Sequence, residues 1–158
     1  GPDGPSYWYV FVDIYCLNHD GNVFDASVLA LVAALRNTRL PVSSFEQRKV
    51  QSRGSNVFET QTLIVGASPH TIALAVNPDF PISLSFSSLQ QSLLTDPTNE
   101  EERLSEGVLN VTIGSQSHRI FSLQKNGGPG LSDDKLRNAI QQAKAYSLNT
   151  ILPLLSRV

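Results

Sequence analysis

Between Phe80 and Ser87 the side chains alternate, with Ile82, Leu84 and Phe86 at one parity and Ser83, Ser85 and Ser87 at the other. A period of two belongs to a β-strand, because successive strand side chains point to opposite faces of a sheet. The pattern predicts a half-buried strand, entered through Pro81, with its apolar face on a core and its serine face toward water. A strand of this kind needs partners. Leu93-Leu94-Thr95 is the expected neighbour, and Asp96-Pro97-Thr98 turns the chain away from it. Residues 108–113 and 119–123 are apolar runs around the polar turn 114–117, which predicts a hairpin.

Two helices are expected to cover this sheet. Val28, Leu31, Val32 and Leu35 recur at helical spacing behind Asp25, a plausible N-cap, and alanines surround that stripe. A helix apolar on several sides is expected to be central and buried, and Asn37 and Pro41 should close it. Ser132 followed by Asp133 and Asp134 predicts the start of a final helix, with Leu136, Ile140, Ala143, Ser147 and Ile151 on its buried face. Pro153 should end or kink that helix.

The remainder is less regular. Residues 7–18 are aromatic and β-branched, which predicts a long, largely buried strand ending at the Asp20-Gly21 turn. Residues 42–59 are polar and predict a loop with an edge strand or two. Residues 63–66 and 72–76 read as short strands. The opening Gly1-Pro2-Asp3-Gly4-Pro5 reads as a linker left by protease processing, with the domain running over 6–158. The fold class is therefore α+β: one mixed, mostly antiparallel sheet with two main helices packed on it.

Composition narrows the function. The chain has 158 residues, enough for one core, and only 16% are charged. Little charge leaves little polar covering, which favours a surface partly hidden in an assembly. A net charge of −2 excludes a chain basic throughout, so any RNA contact must come from a local patch or from neighbouring chains. Arg48, Lys49 and Arg53 are the candidates for such a contact, although a solvated loop is the commoner meaning of such residues. A lone Cys16 cannot form an internal disulfide, and no apolar run reaches membrane-spanning length.

Generic chemistry is sparse. His19, His70 and His118 share no ligand spacing, so no metal and no cofactor are expected. There is no Gly-x-Ser-x-Gly elbow. Gly127-Gly128-Pro129-Gly130 lacks the Lys and hydroxyl pair of a phosphate loop and reads as a strand-to-helix turn. Glu100, Glu101, Glu102 and Glu106 read as a solvated acidic turn rather than a cation site.

Particular words of the sequence carry more. Residues 12–26, Val-Asp-Ile-Tyr-Cys-Leu-Asn-His-Asp-Gly-Asn-Val-Phe-Asp-Ala, continue to Leu35-Arg36-Asn37-Thr38-Arg39-Leu40-Pro41. Further on come Pro81-Ile82-Ser83-Leu84-Ser85-Phe86, then Asp96-Pro97-Thr98 with Glu100-Glu101-Glu102, then Gly127-Gly128 with Gly130-Leu131. In this order the blocks resemble the RNase PH superfamily, and more narrowly the ring subunits of the eukaryotic RNA exosome. Among these the chain looks most like the degenerate subunit usually numbered forty-three, with forty-two and forty-five left open. A full domain of that family is longer, so the resemblance implies that this chain is the second, C-terminal portion of one. It also implies apolar surface that the other portion would cover.

Active members of the family are phosphorolytic exoribonucleases. They hold inorganic phosphate with a Thr and an Arg in a turn that reads Gly-Gly-Thr-Arg. On this chain those positions fall on Val23 and Phe24, neither of which can donate a side-chain hydrogen bond or carry charge. The family's two catalytic carboxylates fall on Glu102 and Val108, with Glu106 the substitute if the register slips. The resemblance thus implies a non-catalytic scaffold subunit of a hetero-oligomeric ring, pairing with other RNase PH-like subunits. It would support RNA processing and degradation, with RNA threading the assembled channel. Its expected location is nucleus, nucleolus and cytoplasm, with no membrane and with an adaptor protein as a further partner. An active phosphorolytic 3′ exoribonuclease, or an RNA-binding or adaptor-docking domain, are the competing readings.

Overall fold

A computed structural model describes residues 7–51, 57–65, 70–90 and 92–155, with backbone alone at 45–51 and 57–63. The linker expected at 1–5, Gly66 and Arg53 lie outside the described residues. The chain divides into two compact units, one of residues 1–12 and 38–74, the other of residues 13–37 and 75–158.

The first unit is built of ribbons. Strand β1 (Arg39–Pro41) pairs antiparallel with β4 (Thr71–Ala73), and β2 (Ser43–Gln51) pairs antiparallel with β3 (Val57–Val65) along the full length of both. Where a loop with an edge strand or two was expected over 42–59, the segment forms β2 and the start of β3, so the strands are more extensive than expected. A two-stranded ribbon is held chiefly by its backbone ladder, so it leaves little hydrophobic pattern to read.

The second unit holds an antiparallel four-stranded sheet. Its order is β6 (Ser92–Thr95), β5 (Pro81–Leu89), β7 (Gly107–Gly114), β8 (Ile120–Gly127). Phe86 faces Leu109 and Leu84 faces Val111 across the central pair. These four, with Ile113, bury against Ala139 and Ala143 of α3 (Asp133–Tyr146). A second cluster joins Val32 of α1 (Val23–Asn37) to Phe80, Ile82, Ile151 and Leu155, and Tyr146 packs against both clusters. The Arg36 guanidinium lies 5.2 Å from the Phe80 ring centre, within cation–π range.

Three expectations need correction here. The segment 7–18 forms no strand: Tyr7, Tyr9, Phe11, Tyr15 and Leu17 are exposed, and no described strand pairs with it. Its composition favours a strand, but a strand requires a neighbour. Helix α1 is not wrapped on all sides, since only Val32 is fully buried. And β5 is not half-buried: Ser83, Ser85, Ser87 and Ser88 are as buried as Ile82, Leu84 and Phe86. The strand touches α1, α2 (Asn99–Leu104) and α3, so its serine parity is covered as well.

The final helix begins where expected, with the Ser132 hydroxyl accepting from the Lys135 N–H. Pro153 does not end it. Instead Leu152 donates to Ser147 O, five residues back, in a π-helical turn over Ser147–Ile151, and α4 (Leu152–Leu155) continues with Pro153 inside. Pro153 supplies no N–H, and a widened turn ahead of it is the ordinary accommodation.

Candidate functional site

The turn at Gly21-Asn22 is the centre of the site. Gly21 has φ +91°, and a Cβ placed there would stand 2.1 Å from the Pro97 carbonyl oxygen, so only glycine fits. The turn thus lies directly on the Asp96-Pro97-Thr98 turn, which leads into α2. Thr98 and Glu101 form a reciprocal capping box at the start of α2. That cap fixes the helix and with it Glu102, one turn along.

Asn22 ties these pieces together. Its backbone N–H donates to Glu102 Oε1 at 2.8 Å. Its side-chain amide donates to Asp96 Oδ1 at 2.7 Å and to Asp25 Oδ2 at 2.9 Å. Asp25 also accepts from the Ser85 N–H at 2.7 Å and the Ser85 hydroxyl at 2.8 Å. Asp25 was expected to cap α1. The helix begins two residues earlier, and Asn22 O accepts from Ala26 N–H. Asp25 therefore sits in the first turn, where its carboxylate closes the edge of β5 just beyond β6.

The structure joins the turn that precedes Val23 and Phe24 to Glu102 and places Val108 on the sheet. Val23 and Phe24 follow Asn22 directly and are 39% and 43% exposed. Glu102 is bonded to that same turn. Val108 stands opposite Ser87 at the start of β7, and the next pair on that sheet face is Ser85 with Asn110. What the place can do chemically follows from its groups. The donors on its carboxylates are neutral: two backbone N–H groups, one amide and one hydroxyl. Apolar side chains occupy the helix start. Val23 and Phe24 offer no side-chain donor and no charge to a phosphate oxygen.

Beside the turn, a cleft of about 270 Å³ runs between α1, the start of β5 and the end of the chain, with Asp25, Asp96 and Tyr146 toward one end. Burial raises the Tyr146 phenol above its ordinary range, and the Asp96 and Asp25 charges add to this. The phenol therefore stays neutral. Among the described residues no group of His, Cys, Asp and Glu could hold a metal ion, and no helix is long and apolar enough to cross a membrane.

Of the candidate RNA contacts, Arg48 and Lys49 belong to the other compact unit. Arg48 and Lys49 occupy consecutive ladder positions of β2, opposite Thr60 and Glu59. Sequence reasoning did not single out Asn22 or Asp96. The signal for both was present as turn words, Asp20-Gly21-Asn22 and Asp96-Pro97-Thr98, but a turn word does not reveal which other turn it meets.

This fold and this pair of facing turns define an RNase PH-like α+β protein, and comparison with known sequences agrees. Residues 3–41 match the sequence model of the 3′ exoribonuclease family, domain 1, and residues 79–146 match that of domain 2. The chain belongs to this family. It is 36% identical over 141 residues to "Exosome complex component Rrp42" of Methanopyrus kandleri, covering 89% of this chain and 47% of that protein. It is 35% identical over 136 residues to "Exosome complex component RRP45" of Homo sapiens, covering 84% of this chain and 28% of that one. Among solved structures it resembles "Archaeal exosome core" with a TM-score of 0.63 at 25% identity, over 85% of this chain and 45% of the other. The Archaeoglobus fulgidus exosome with RNA bound to the active site gives a TM-score of 0.62 at 26% identity, over 84% and 43%. The chain thus spans less than half the length of the relatives it matches.

Proposed function

We propose that this chain is the C-terminal portion of a ring subunit of an RNA exosome, and that it builds the ring without catalysing phosphorolysis. The observation that carries the proposal is the start of α1. Val23 and Phe24 follow directly on Asn22, whose N–H is bonded to Glu102, and the family resemblance assigns them the places of the phosphate-holding donor and cation, and Val108 that of the second acid. Phosphorolysis concentrates negative charge from phosphate and a phosphodiester in one place, and it requires compensating positive charge and donors there. Glu102 accepts from the backbone of Asn22, which gives it a structural task at the helix start. Support for the ring comes from the relatives, which are named as exosome components. The finer assignment, a eukaryotic subunit of the forty-three type in nucleus, nucleolus and cytoplasm, rests on the sequence blocks alone.

The test is a phosphorolysis assay on the full-length subunit, with phosphate and a single-stranded RNA. No nucleoside diphosphate above background is expected. Release of nucleoside diphosphates that disappears in Glu102→Gln would overturn the proposal, because that variant keeps an oxygen for the Asn22 N–H and removes only the charge.

A further inference from the structure

Of the ten asparagines in the chain, Asn126 alone is followed by glycine. The backbone nitrogen of the residue after an asparagine can attack the side-chain amide carbon and close a five-membered ring. A side chain on that next residue crowds the ring, and glycine has none. Five of the other asparagines precede Val or Thr, whose branched Cβ crowds most, and Asn77 precedes Pro78, which has no N–H. Asn99 and Asn138 lie within α2 and α3, where the helix fixes the backbone. Asn18 precedes His19 and is the nearest rival, with the His19 N–H donating to its Oδ1 at 2.9 Å.

The fold leaves this pair open to the reaction. Asn126 is the second-last residue of β8, exposed, and stands opposite Val108. Among the described residues nothing hydrogen-bonds its amide, whereas the amide of Asn22 is clasped by two carboxylates. Gly127 and Gly128 have φ +69° and +66°, so the backbone leaves the extended conformation directly after Asn126. Two glycines in succession give the chain freedom to carry the Gly127 nitrogen toward the amide carbon. Lys125 lies alongside, with Nζ donating to the carbonyl oxygens of Gly127 and Gly128. An ammonium held there favours the negative charge that forms on the Gly127 nitrogen and then on the amide oxygen.

We propose that Asn126 is a site of spontaneous deamidation through a succinimide, promoted by Lys125. The Gly127 nitrogen gives up its proton and bonds to Asn126 Cγ. The Cγ–Nδ2 bond breaks, and the amide leaves as ammonia, taking up a proton in place of the one released. Water then opens the ring at one of its two C–N bonds. Opening at Cγ leaves aspartate. Opening at the main-chain carbonyl leaves isoaspartate, whose backbone runs through Cβ and Cγ. Water is the only co-reactant. Aspartate adds charge alone. Isoaspartate also adds a carbon to the main chain, so the last rungs of the ladder, Val108 with Asn126 and Gly107 with Gly127, no longer both keep register. The end of β8 is then released from β7. This proposal stands independently of the ring reading above.

The test uses the folded full-length subunit, held at body temperature in mildly alkaline buffer and sampled over weeks. Peptide mass spectrometry locates each gain of about one dalton, and an isoaspartyl methyltransferase with a labelled methyl donor measures isoaspartate. Asn126 should convert at least about ten-fold faster than any other asparagine, with isoaspartate among the products. Lys125→Gln should slow the conversion several-fold, and Lys125→Arg should not. In the separated isoaspartyl protein, amides within 107–109 should exchange at least about ten-fold faster. Asn126→Asp, which adds the charge without the carbon, should leave them unchanged. The proposal is overturned if Asn126 does not convert, if Asn18 or another asparagine converts first, or if aspartate is the sole product. An unchanged rate in Lys125→Gln overturns the part given to Lys125, and unchanged exchange in the isoaspartyl protein overturns the release of the strand end.

Discussion

At the scale of single residues, Asp25 matters more than any charged side chain singled out for catalysis. It accepts from a backbone N–H, a hydroxyl and an amide, so Asp25→Ala strands three donors, partly buried ones among them. Each lost partner of this kind costs on the order of 1 kcal/mol or more. The expected loss is roughly 2–3 kcal/mol, read as a lower denaturant midpoint at unchanged slope. Glu102→Gln should stay within about 0.5 kcal/mol of the parent, since its oxygen acceptor survives. Asp79 gives the pH dependence. The Ser117 hydroxyl donates to it, as do the Ser117 and Gln116 N–H groups, and together they hold its carboxyl below its ordinary value. A depressed folded value means stability that is present above the unfolded value and lost as pH falls through the folded one. Thermal midpoints should therefore fall below about pH 4, and Asp79→Asn should flatten that acid-side slope by lowering the midpoint at neutral pH while leaving the most acidic midpoints little changed. The assignment of Val23, Phe24 and Val108 to the family's phosphate and acid positions rests on the sequence resemblance and stands as part of the proposal. The role of Asn22 was not legible in the sequence, because its partners lie at positions 25, 96 and 102 and meet it only in the fold.

At the scale of elements, periodicity located strands better than it located burial. Alternation over 81–87 placed β5 and its apolar face correctly. It could not reveal that the serine face is buried too, because that depends on a helix begun some sixty residues earlier (Asp25 to Ser85). The end of α3 shows the reverse. Ala143, Ser147, Ile151 and Leu155 are all buried, and a spacing of four drifts off one face of a regular helix of 3.6 residues per turn. The π-helical turn winds more slowly and returns Ile151 and Leu155 to the side of Ile82 and Val32. A proline inside a regular helix ordinarily costs about 3 kcal/mol, which Pro153→Ala would recover in such a helix. Here the turn also serves packing, and the gain should stay under about 1 kcal/mol. Leu84→Ala, at the centre of the larger cluster, should lose about 2–5 kcal/mol. Both are read from unfolding midpoints.

At the scale of the whole molecule, what stands out is apolar surface. Tyr7, Tyr9, Phe11, Tyr15 and Leu17 are each at least three-quarters exposed, and these residues fall in the stretch matching domain 1 of the family. Helix α1 also leaves Val23 and Phe24 half-open. Such a run exceeds what isolated surface side chains on soluble monomers require, and contiguous patches of this kind mark surfaces that something covers. The composition predicted this segment to be a buried strand. The propensity was legible, but the neighbour that would bury it is not among the described elements. Its physical consequence can be measured through Trp8, the only tryptophan of the chain and 48% exposed. This chain alone should emit at the wavelength of a partly hydrated indole and bind an apolar dye strongly. Adding the part of an RNase PH-type subunit's first domain that lies ahead of the stretch matched here by residues 3–41, with its own tryptophans replaced by phenylalanine, should shift the emission to the blue and reduce dye binding several-fold. Phe11→Asp should weaken that reconstitution by roughly 1–3 kcal/mol, because one of the largest apolar side chains in the run would carry a charge into the interface. If emission and dye binding are the same with and without the added part, residues 7–17 are not an unfinished part of the core, and the proposal that this chain is the second portion of a family domain loses its physical basis.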